Sequence, residues 1–484
     1  MAQVEGEEEN NNDVTDEDAE NEVEVRKGGL ARKASGMVVL ELESVGRRLN
    51  EIHPKSSVSF HRNLKDPFCD PENPVTLSFQ QVSYAAFKIR GGIERTPCKK
   101  SRQLSKLYGM DLYFKKEFLQ ATGSFKERGA RNTLMKLTPE QKQLGVVAAS
   151  AGNHALALAY HGQDLGIPVT VVMPVVAPMM KVSLCRTYGA DVVVLGAHIG
   201  EAKEFAMRKA ADEGLLYING YDHPDVLAGA GSIGLEILED VPKVDAVIVP
   251  VGGGGLIAGI GCAIKYLMPS VLVYGAEAEN CAGMTQALEC GKPTYVKPGS
   301  TLADGLSVPM VGVNAFVTAK GVVDKMITVS EKHIARAILR LIEVEKAVVE
   351  GAGVVGLAAI MAGLVPELKG KRVVTPLCGG NIDTTVLGRT IERGLACEHR
   401  LVRFSVVVSD RPGGMAELTG LLARVGASIK DIFHERAFMK LDIFAVKVRC
   451  VAETRDSEHA AELERELHKH YTDVRFHLED EEDQ

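Results

Sequence analysis

The sequence lacks several features that would place it in other classes of protein. It has no tryptophan and no apolar run near the roughly 20 residues that cross a bilayer, so we predict neither a membrane span nor a membrane partner. Its nine cysteines form no C-x-x-C pair and no metal-type cluster, which predicts reduced thiols in a cytosolic protein and no metal site formed by cysteines. The first 25 residues contain no lysine or arginine, which argues against a mitochondrial transit peptide.

The 484 residues, 45% hydrophobic and 25% charged, suit a soluble protein of two or three folded units. The net charge of −8 is concentrated at the ends, with eleven acidic residues in 1–25 and five in 479–483. We therefore expect a disordered acidic leader over residues 1–36 and an acidic tail over 479–484. Residues 37–78 are predicted to be an extension or linker with one helix over 37–52. No nucleic-acid partner is predicted.

From about residue 79 to residue 395, apolar strands alternate with helical segments. Buried strands are predicted over 146–149, 169–173, 191–195, 246–251, 271–276 and 372–376. Helices are predicted over 153–166, 179–188, 202–211, 226–238 and 256–267. Strands that are apolar on both faces and alternate with helices indicate an α/β fold with a mainly parallel sheet. Active sites in such folds lie at the carboxyl ends of the strands.

A different pattern follows residue 394. Strands are predicted over 401–408, 428–438, 441–451 and 474–478, with helices over 415–425 and 457–471. This βαββαβ order predicts a small α+β domain over residues 400–478.

The lysine in Thr-Gly-Ser-Phe-Lys-Glu-Arg-Gly-Ala, residues 122–130, is the best candidate nucleophile. We predict Ser124 as an N-cap and Lys126 in the first turn of the following helix. The helix dipole disfavours a cation there and so helps the amine to lose its proton. The alternative is an ordinary solvated surface lysine.

Three strand ends carry unusual residues. Ser-Ala-Gly-Asn-His, residues 150–154, offers backbone N–H groups at a helix start that suit a carboxylate, although an ordinary cap is the alternative. Four glycines and a leucine, residues 252–256, form a strand-to-helix turn in which successive amides can close on a phosphate. Cys378, in Leu-Cys-Gly-Gly-Asn, is by default a buried structural thiol.

Together, T-G-S-F-K-E-R-G-A, S-A-G-N-H-A, G-G-G-G-L and C-G-G-N resemble the motifs of the threonine dehydratase branch of the pyridoxal-phosphate enzymes of the tryptophan-synthase-β fold type. The resemblance covers roughly residues 79–395. It implies two parallel-sheet subdomains and pyridoxal 5′-phosphate held as a Schiff base. It also implies deamination of L-threonine to 2-oxobutanoate and ammonia, and of L-serine to pyruvate and ammonia.

The resemblance also implies roles for matching residues. Lys126 binds the cofactor and later removes the Cα proton, Phe125 packs against the pyridine ring, and Asn153 hydrogen-bonds the cofactor 3-oxygen. Cys378 faces the pyridine nitrogen. The phosphate is bound by the amides of Gly252, Gly253, Gly254, Gly255 and Leu256. The substrate carboxylate is bound by the turn of Ser150, Ala151, Gly152, Asn153 and His154.

Related serine racemases carry a serine where this chain has Ala151. A methyl group cannot transfer a proton, so we expect poor racemisation, with serine racemase as the alternative activity. Glu277 matches one carboxylate of a cation site in relatives, but Gly283 stands where they have a second. Glu350 matches a glutamate near the cofactor ring, although it could equally be a helix-start residue.

The C-terminal domain, with Asp-Arg-Pro-Gly at residues 410–413, resembles an ACT domain, a module that binds amino acids between paired copies. This implies a homo-oligomer and an amino-acid effector near residues 410–415, with a ligand-free dimerisation module left open. An alternative of another class is a non-catalytic amino-acid sensor, which would have no need of Lys126.

Overall fold

The computed structural model describes residues 64–436 and 443–477. The acidic leader, the acidic tail and the helix predicted over residues 37–52 lie outside this part of the chain. The described residues form two mainly parallel sheets and one antiparallel sheet, each packed with helices. The predicted fold class is thus confirmed.

The strands are β1 Cys98–Lys100, β2 Asp111–Lys115, β3 Val146–Ala149, β4 Val169–Met173, β5 Asp191–Val194, β6 Leu216–Tyr217, β7 Ala246–Pro250, β8 Leu272–Ala278, β9 Lys325–Val329, β10 Arg372–Pro376, β11 Leu401–Ser409, β12 Ser428–Glu435, β13 Ala445–Glu453 and β14 Val474–His477. The α-helices are α1 Phe79–Ile89, α2 Arg102–Tyr108, α3 Lys126–Lys136, α4 Pro139–Leu144, α5 Asn153–Leu165, α6 Met179–Thr187, α7 Ile199–Glu213, α8 Pro224–Asp240, α9 Gly255–Leu267, α10 Gly283–Cys290, α11 Val313–Ala319, α12 Glu331–Arg340, α13 Gly351–Met361, α14 Thr384–Cys397, α15 Gly414–Val425 and α16 Ser457–His470. Short 3-10 turns cover Glu117–Leu119, Glu279–Cys281, Asp304–Leu306 and Pro366–Leu368, and Leu341–Glu345 is π-helical.

The larger sheet has the strand order β1-β2-β10-β7-β8-β9 and is parallel except for β1. Successive residues of β7 enter two different hydrophobic cores, Val247 and Val249 on one face and Ala246 and Ile248 on the other. Helices therefore cover both faces, which explains why its strands are continuous apolar runs.

The smaller sheet is entirely parallel, in the order β5-β4-β3-β6. In each sheet the carboxyl ends of parallel neighbours lie along one edge. The loops after β7 and β10 are thus neighbours in the larger sheet, and those after β3 and β6 are neighbours in the smaller one. These four loops, together with the segments that lead into α3 and α13, carry the candidate site.

The C-terminal sheet is antiparallel, in the order β12-β13-β11-β14. Alternate residues of β13 are buried against α15 and α16, as expected for a sheet with one covered face. Strand β12 is exposed along nearly its whole length and lies at the edge. The strands predicted over 428–438 and 441–451 extend partly into residues 437–442, which lie outside the described ranges.

Candidate active site

The Lys126 side chain is the centre of the candidate site. Helix α3 begins at this residue, which confirms its predicted position in the first turn. Its Nζ donates a hydrogen bond to the Gly220 carbonyl oxygen at 2.5 Å. Burial lowers the pKa of Lys126 to about 8, while nearby Cys378 and Glu350 act in the opposite direction. The amine is therefore partly neutral at neutral pH, the form that acts as a nucleophile or a base.

The predicted cap at Ser124 is wrong. Phe125 is the residue that precedes α3, and no side chain caps the helix. The Ser124 backbone instead forms an antiparallel bridge with Gly379, in the loop after β10, and the Phe125 N–H donates to the Cys378 carbonyl at 2.9 Å. Among the described residues, the buried Ser124 hydroxyl has no hydrogen-bond partner.

The glycine run connects β7 to α9, as predicted. Gly254 has a φ of 91°, and a Cβ on Gly253 would lie 2.3 Å from the Tyr221 ring. A Cβ on Gly255 would lie 2.5 Å from the Tyr221 carbonyl oxygen. Only glycine fits these positions without displacement, and the run leads directly into the start of α9, where backbone N–H groups suit an anion.

Sequence reasoning missed Gly220 and Tyr221, which join the lysine to the glycine run. They follow β6 in an Asn-Gly-Tyr-Asp turn, in which Asn219 Oδ1 accepts the N–H of Tyr221 at 3.1 Å and of Asp222 at 3.2 Å. The available signal was this Asn-Gly turn directly after a strand. The contact itself joins residues 94 positions apart, so no local pattern predicts it.

Cys378 lies in the loop after β10, and its side chain is buried. Its Sγ donates to the Pro376 carbonyl at 3.6 Å. Burial, with Glu117 and Glu350 nearby, raises the pKa of this thiol well above its usual value. Cys378 is therefore a neutral group at physiological pH.

The turn after β3 leads into α5, which begins at Asn153 with Gly152 before it. The Gly152 N–H donates to Ser150 Oγ at 3.3 Å, and Ala151 is half-buried. The His154 ring is buried, with Nε2 3.3 Å from the Ile218 carbonyl oxygen. Burial, with Lys126 nearby, lowers the pKa of His154 to about 3, so the ring is neutral. A Cβ on Gly220 would lie 2.5 Å from this ring, so His154 packs against the residue whose carbonyl oxygen accepts from Lys126.

The Asn153 side chain joins two further loops. Its Nδ2 donates to Glu350 at 2.7 Å, and its Oδ1 accepts a hydrogen bond from Asn381 Nδ2 at 2.9 Å. Burial, with Asp304 nearby, raises the pKa of Glu350 to about 7. Glu350 directly precedes α13, yet it contacts the site across 197 residues of sequence.

Glu277 lies near the end of β8, and its side chain accepts hydrogen bonds from backbone N–H groups. Its carboxylate accepts the N–H groups of Met284 at 2.7 Å and Thr285 at 3.0 Å, at the start of α10. It also accepts a hydrogen bond from the Thr285 hydroxyl at 2.7 Å.

Residues 64–436 and 443–477 contain no group of three or more His, Cys, Asp or Glu side chains that could bind a metal ion. Among the described residues, the helices are each too short or too polar to span a bilayer.

The arrangement fits pyridoxal phosphate. Lys126 supplies an amine of lowered pKa for the aldehyde, and the glycine run supplies a helix start for the phosphate. The unpartnered Ser124 hydroxyl adds a buried polar group that the rest of the described chain does not satisfy.

A family model described as pyridoxal-phosphate dependent enzyme matches residues 89–379. This range contains Lys126, the glycine run and Cys378. The chain belongs to this family of enzymes, and pyridoxal phosphate is its cofactor.

Among known proteins, the chain is similar to an L-threonine ammonia-lyase of Thermotoga maritima, with 42% identity over 391 residues that make up 81% of this chain and 97% of that protein. One solved neighbour is the processed form of threonine deaminase isoform 2 from Solanum lycopersicum, with a TM-score of 0.63, 32% identity, and coverage of 66% of this chain and 95% of that one. Another is maize serine racemase, with a TM-score of 0.62, 32% identity, and coverage of 66% of this chain and 98% of that one.

Proposed function

We propose that this protein is an L-threonine ammonia-lyase, which deaminates L-threonine to 2-oxobutanoate and ammonia and also L-serine to pyruvate and ammonia. The observation that carries the proposal is the Lys126 amine, held 2.5 Å from the Gly220 carbonyl with its pKa lowered to about 8. The similar lyase from Thermotoga maritima, of which this chain covers 97%, supports the choice of substrate.

Each residue of the candidate site has a separate role in the proposed reaction. Bound pyridoxal phosphate supplies an electron sink for negative charge at the substrate Cα. Lys126 Nζ would take the Cα proton, and the β-hydroxyl would leave as water after that proton, or one in exchange with it, reaches its oxygen. This leaves an enamine, whose hydrolysis gives the oxo acid and ammonia. The substrate carboxylate is bound by the Ser150 hydroxyl and by the backbone turn of Ala151, Gly152, Asn153 and His154.

The cofactor is oriented by the neighbouring loops. Phe125 would pack against its ring, Asn153 would donate to its 3-oxygen, and Cys378 would lie opposite its pyridine nitrogen. Because the Cys378 thiol is neutral, it would not hold a proton on that nitrogen, and the less electron-poor ring would favour elimination over transamination. The phosphate is bound by the amides of Gly252, Gly253, Gly254, Gly255 and Leu256.

The proposed catalytic domain is residues 79–395, and the proposed regulatory ACT domain is residues 400–478. An amino-acid effector would bind near residues 410–415, where Asp410 is paired with Arg436 at 2.8 and 2.9 Å. The exposed edge strand β12, with Phe433 63% exposed, supports pairing of two copies in a homo-oligomer. Nine free cysteines support a cytoplasmic location.

The substitution Ala151→Ser is expected to raise the formation of D-serine from L-serine by about tenfold or more, because a hydroxyl on the turn after β3 adds a second proton-transfer group. The ratio of D-serine to pyruvate, measured by chiral chromatography, checks this. Ala155→Ser, in the first turn of α5 and fully buried, is the control. An unchanged ratio would show that residue 151 does not face Cα.

Capture of pyridoxal phosphate by the apoprotein is expected to accelerate by about tenfold per pH unit below pH 8 and to level off above it. Only the neutral Lys126 amine attacks the aldehyde, and burial lowers the pKa of this amine to about 8. Stopped-flow absorption between pH 6 and pH 11 measures the rate. A rate that still rises up to pH 10.5, the ordinary value for lysine, would contradict the lowered pKa.

The proposed function is tested by incubating the cofactor-loaded protein with L-threonine. We expect 2-oxobutanoate and ammonia in equal amounts. Cofactor-loaded protein that releases neither product would favour the amino-acid sensor.

A further inference from the structure

A chain of side-chain amides runs through the candidate site. Asn381 Nδ2 donates to the Thr122 carbonyl oxygen at 2.7 Å and to Asn153 Oδ1 at 2.9 Å. Asn153 Nδ2 then donates to Glu350 at 2.7 Å. These three hydrogen bonds thus join the loop before Lys126, the loop after β10, the start of α5 and the loop before α13.

The direction of these hydrogen bonds is set at one end. A backbone carbonyl can only accept, so the Asn381 atom facing Thr122 is the amide nitrogen. The same nitrogen faces Asn153, which must therefore present its oxygen to Asn381. Asn153 Nδ2 is left with one N–H for Glu350 and a second N–H for another acceptor.

Glu350 alone does not set this direction. Burial raises its pKa to about 7, so at neutral pH it is divided between an ionised form that accepts and a protonated form that donates. Opposite a protonated Glu350, the Asn153 amide could turn over and present its oxygen. The hydrogen bond from Asn381 opposes this turn.

Close backbone packing holds Asn381 in place. The Gly380 N–H donates to the Gly123 carbonyl at 2.9 Å, and the Glu350 N–H donates to the Gly379 carbonyl at 2.9 Å. A Cβ on Gly123 would lie 2.6 Å from Asn381 Oδ1, and a Cβ on Gly379 would lie 2.4 Å from Glu350 Oε1. Glycine at both positions lets the four loops approach closely enough to form the chain of amides.

We propose that Asn381 is a positioning residue, which fixes the orientation of the Asn153 amide so that its remaining N–H is presented to the cofactor 3-oxygen. This inference rests on the proposed role of Asn153. The 3-oxygen of pyridoxal phosphate is an acceptor when ionised, so it requires a donor. An inverted amide would present an oxygen and favour the protonated 3-oxygen.

The test is Asn381→Asp, which keeps the size of the side chain but removes both donated hydrogen bonds. We expect the absorption of the bound cofactor to shift toward shorter wavelength, as its 3-oxygen becomes protonated. We also expect kcat to fall by about ten- to a hundredfold, with KM changed by less than about threefold. If this variant does not fold, Asn381→Ala removes the same donor without adding a charge.

Two controls distinguish a loss of Asn153 orientation from a non-specific effect of the substitution on the structure. Asn280→Asp removes a hydrogen bond of 2.7 Å to the Ser300 carbonyl outside the site and should leave the spectrum unchanged. In an Asn153→Ala background, Asn381→Asp should change neither the spectrum nor kcat further, because Asn381 acts through Asn153. Fully additive losses, or an unshifted spectrum in the active single variant, would overturn the inference. A wild-type protein that binds the cofactor without acting on threonine would instead count against the proposed function.

Discussion

Replacement of Lys126 by alanine is expected to abolish covalent attachment of the cofactor and to lower threonine deamination by at least about 10⁴-fold. Lys126 is the amine that both binds the aldehyde and takes the Cα proton, so one substitution removes both steps. Borohydride reduction followed by mass spectrometry of peptides measures the attachment. In the wild-type protein, the cofactor mass should be found on the peptide that contains Lys126.

Lys136→Ala is the matched control, because this lysine lies in the same helix and forms an ion pair with Asp225 at the surface. It should keep both attachment and activity. Cofactor found on another lysine, or activity retained by Lys126→Ala, would contradict the assignment of the nucleophile.

Replacement of Arg128 by methionine is expected to destabilise the protein by about 3–5 kcal/mol. Arg128 and Glu117 are both fully buried, and they form two hydrogen bonds of 2.8 Å each. Arg128 also donates to Glu236 at 2.7 Å. Methionine leaves the Glu117 carboxylate with an uncompensated charge in the interior, next to residue 128 of the helix that begins at Lys126.

Urea unfolding of the wild-type and variant apoproteins measures this loss of stability. Arg95→Met is the control, because Arg95 also forms two ion pairs of 2.7 Å, but its side chain is 54% exposed. We expect it to cost less than about 1 kcal/mol. Equal losses for the two variants would show that burial does not decide the strength of the Arg128 pair.

Strand positions could be predicted from the sequence where apolar runs are bounded by polar or small residues. The predicted strands over 169–173 and 372–376 coincide with β4 and β10. The helix predicted over 202–211 is longer, Ile199–Glu213. Its start was missed because the His198 ring, which is an unusual cap, accepts the Glu201 N–H.

The Ser150 turn, the glycine run and the Cys378 loop could be predicted as a group because each follows a parallel strand, and Lys126 could be predicted from its place at the start of a helix. The contacts between them could not. Lys126 meets Gly220, and Asn381 meets Thr122 across 259 residues. The error at Ser124 has the same cause, since its backbone pairs with Gly379 from a distant loop rather than starting a helix. Such pairings depend on the tertiary fold and leave no local pattern.

The most direct test of the proposed function follows 2-oxo acid and D-amino acid together after the cofactor-loaded protein is mixed with L-threonine and, separately, with L-serine. We predict 2-oxobutanoate from threonine, and pyruvate from serine with little D-serine. An excess of D-serine would contradict the argument from Ala151 and identify racemisation as the main reaction. The absence of both products would contradict the assignment as an ammonia-lyase.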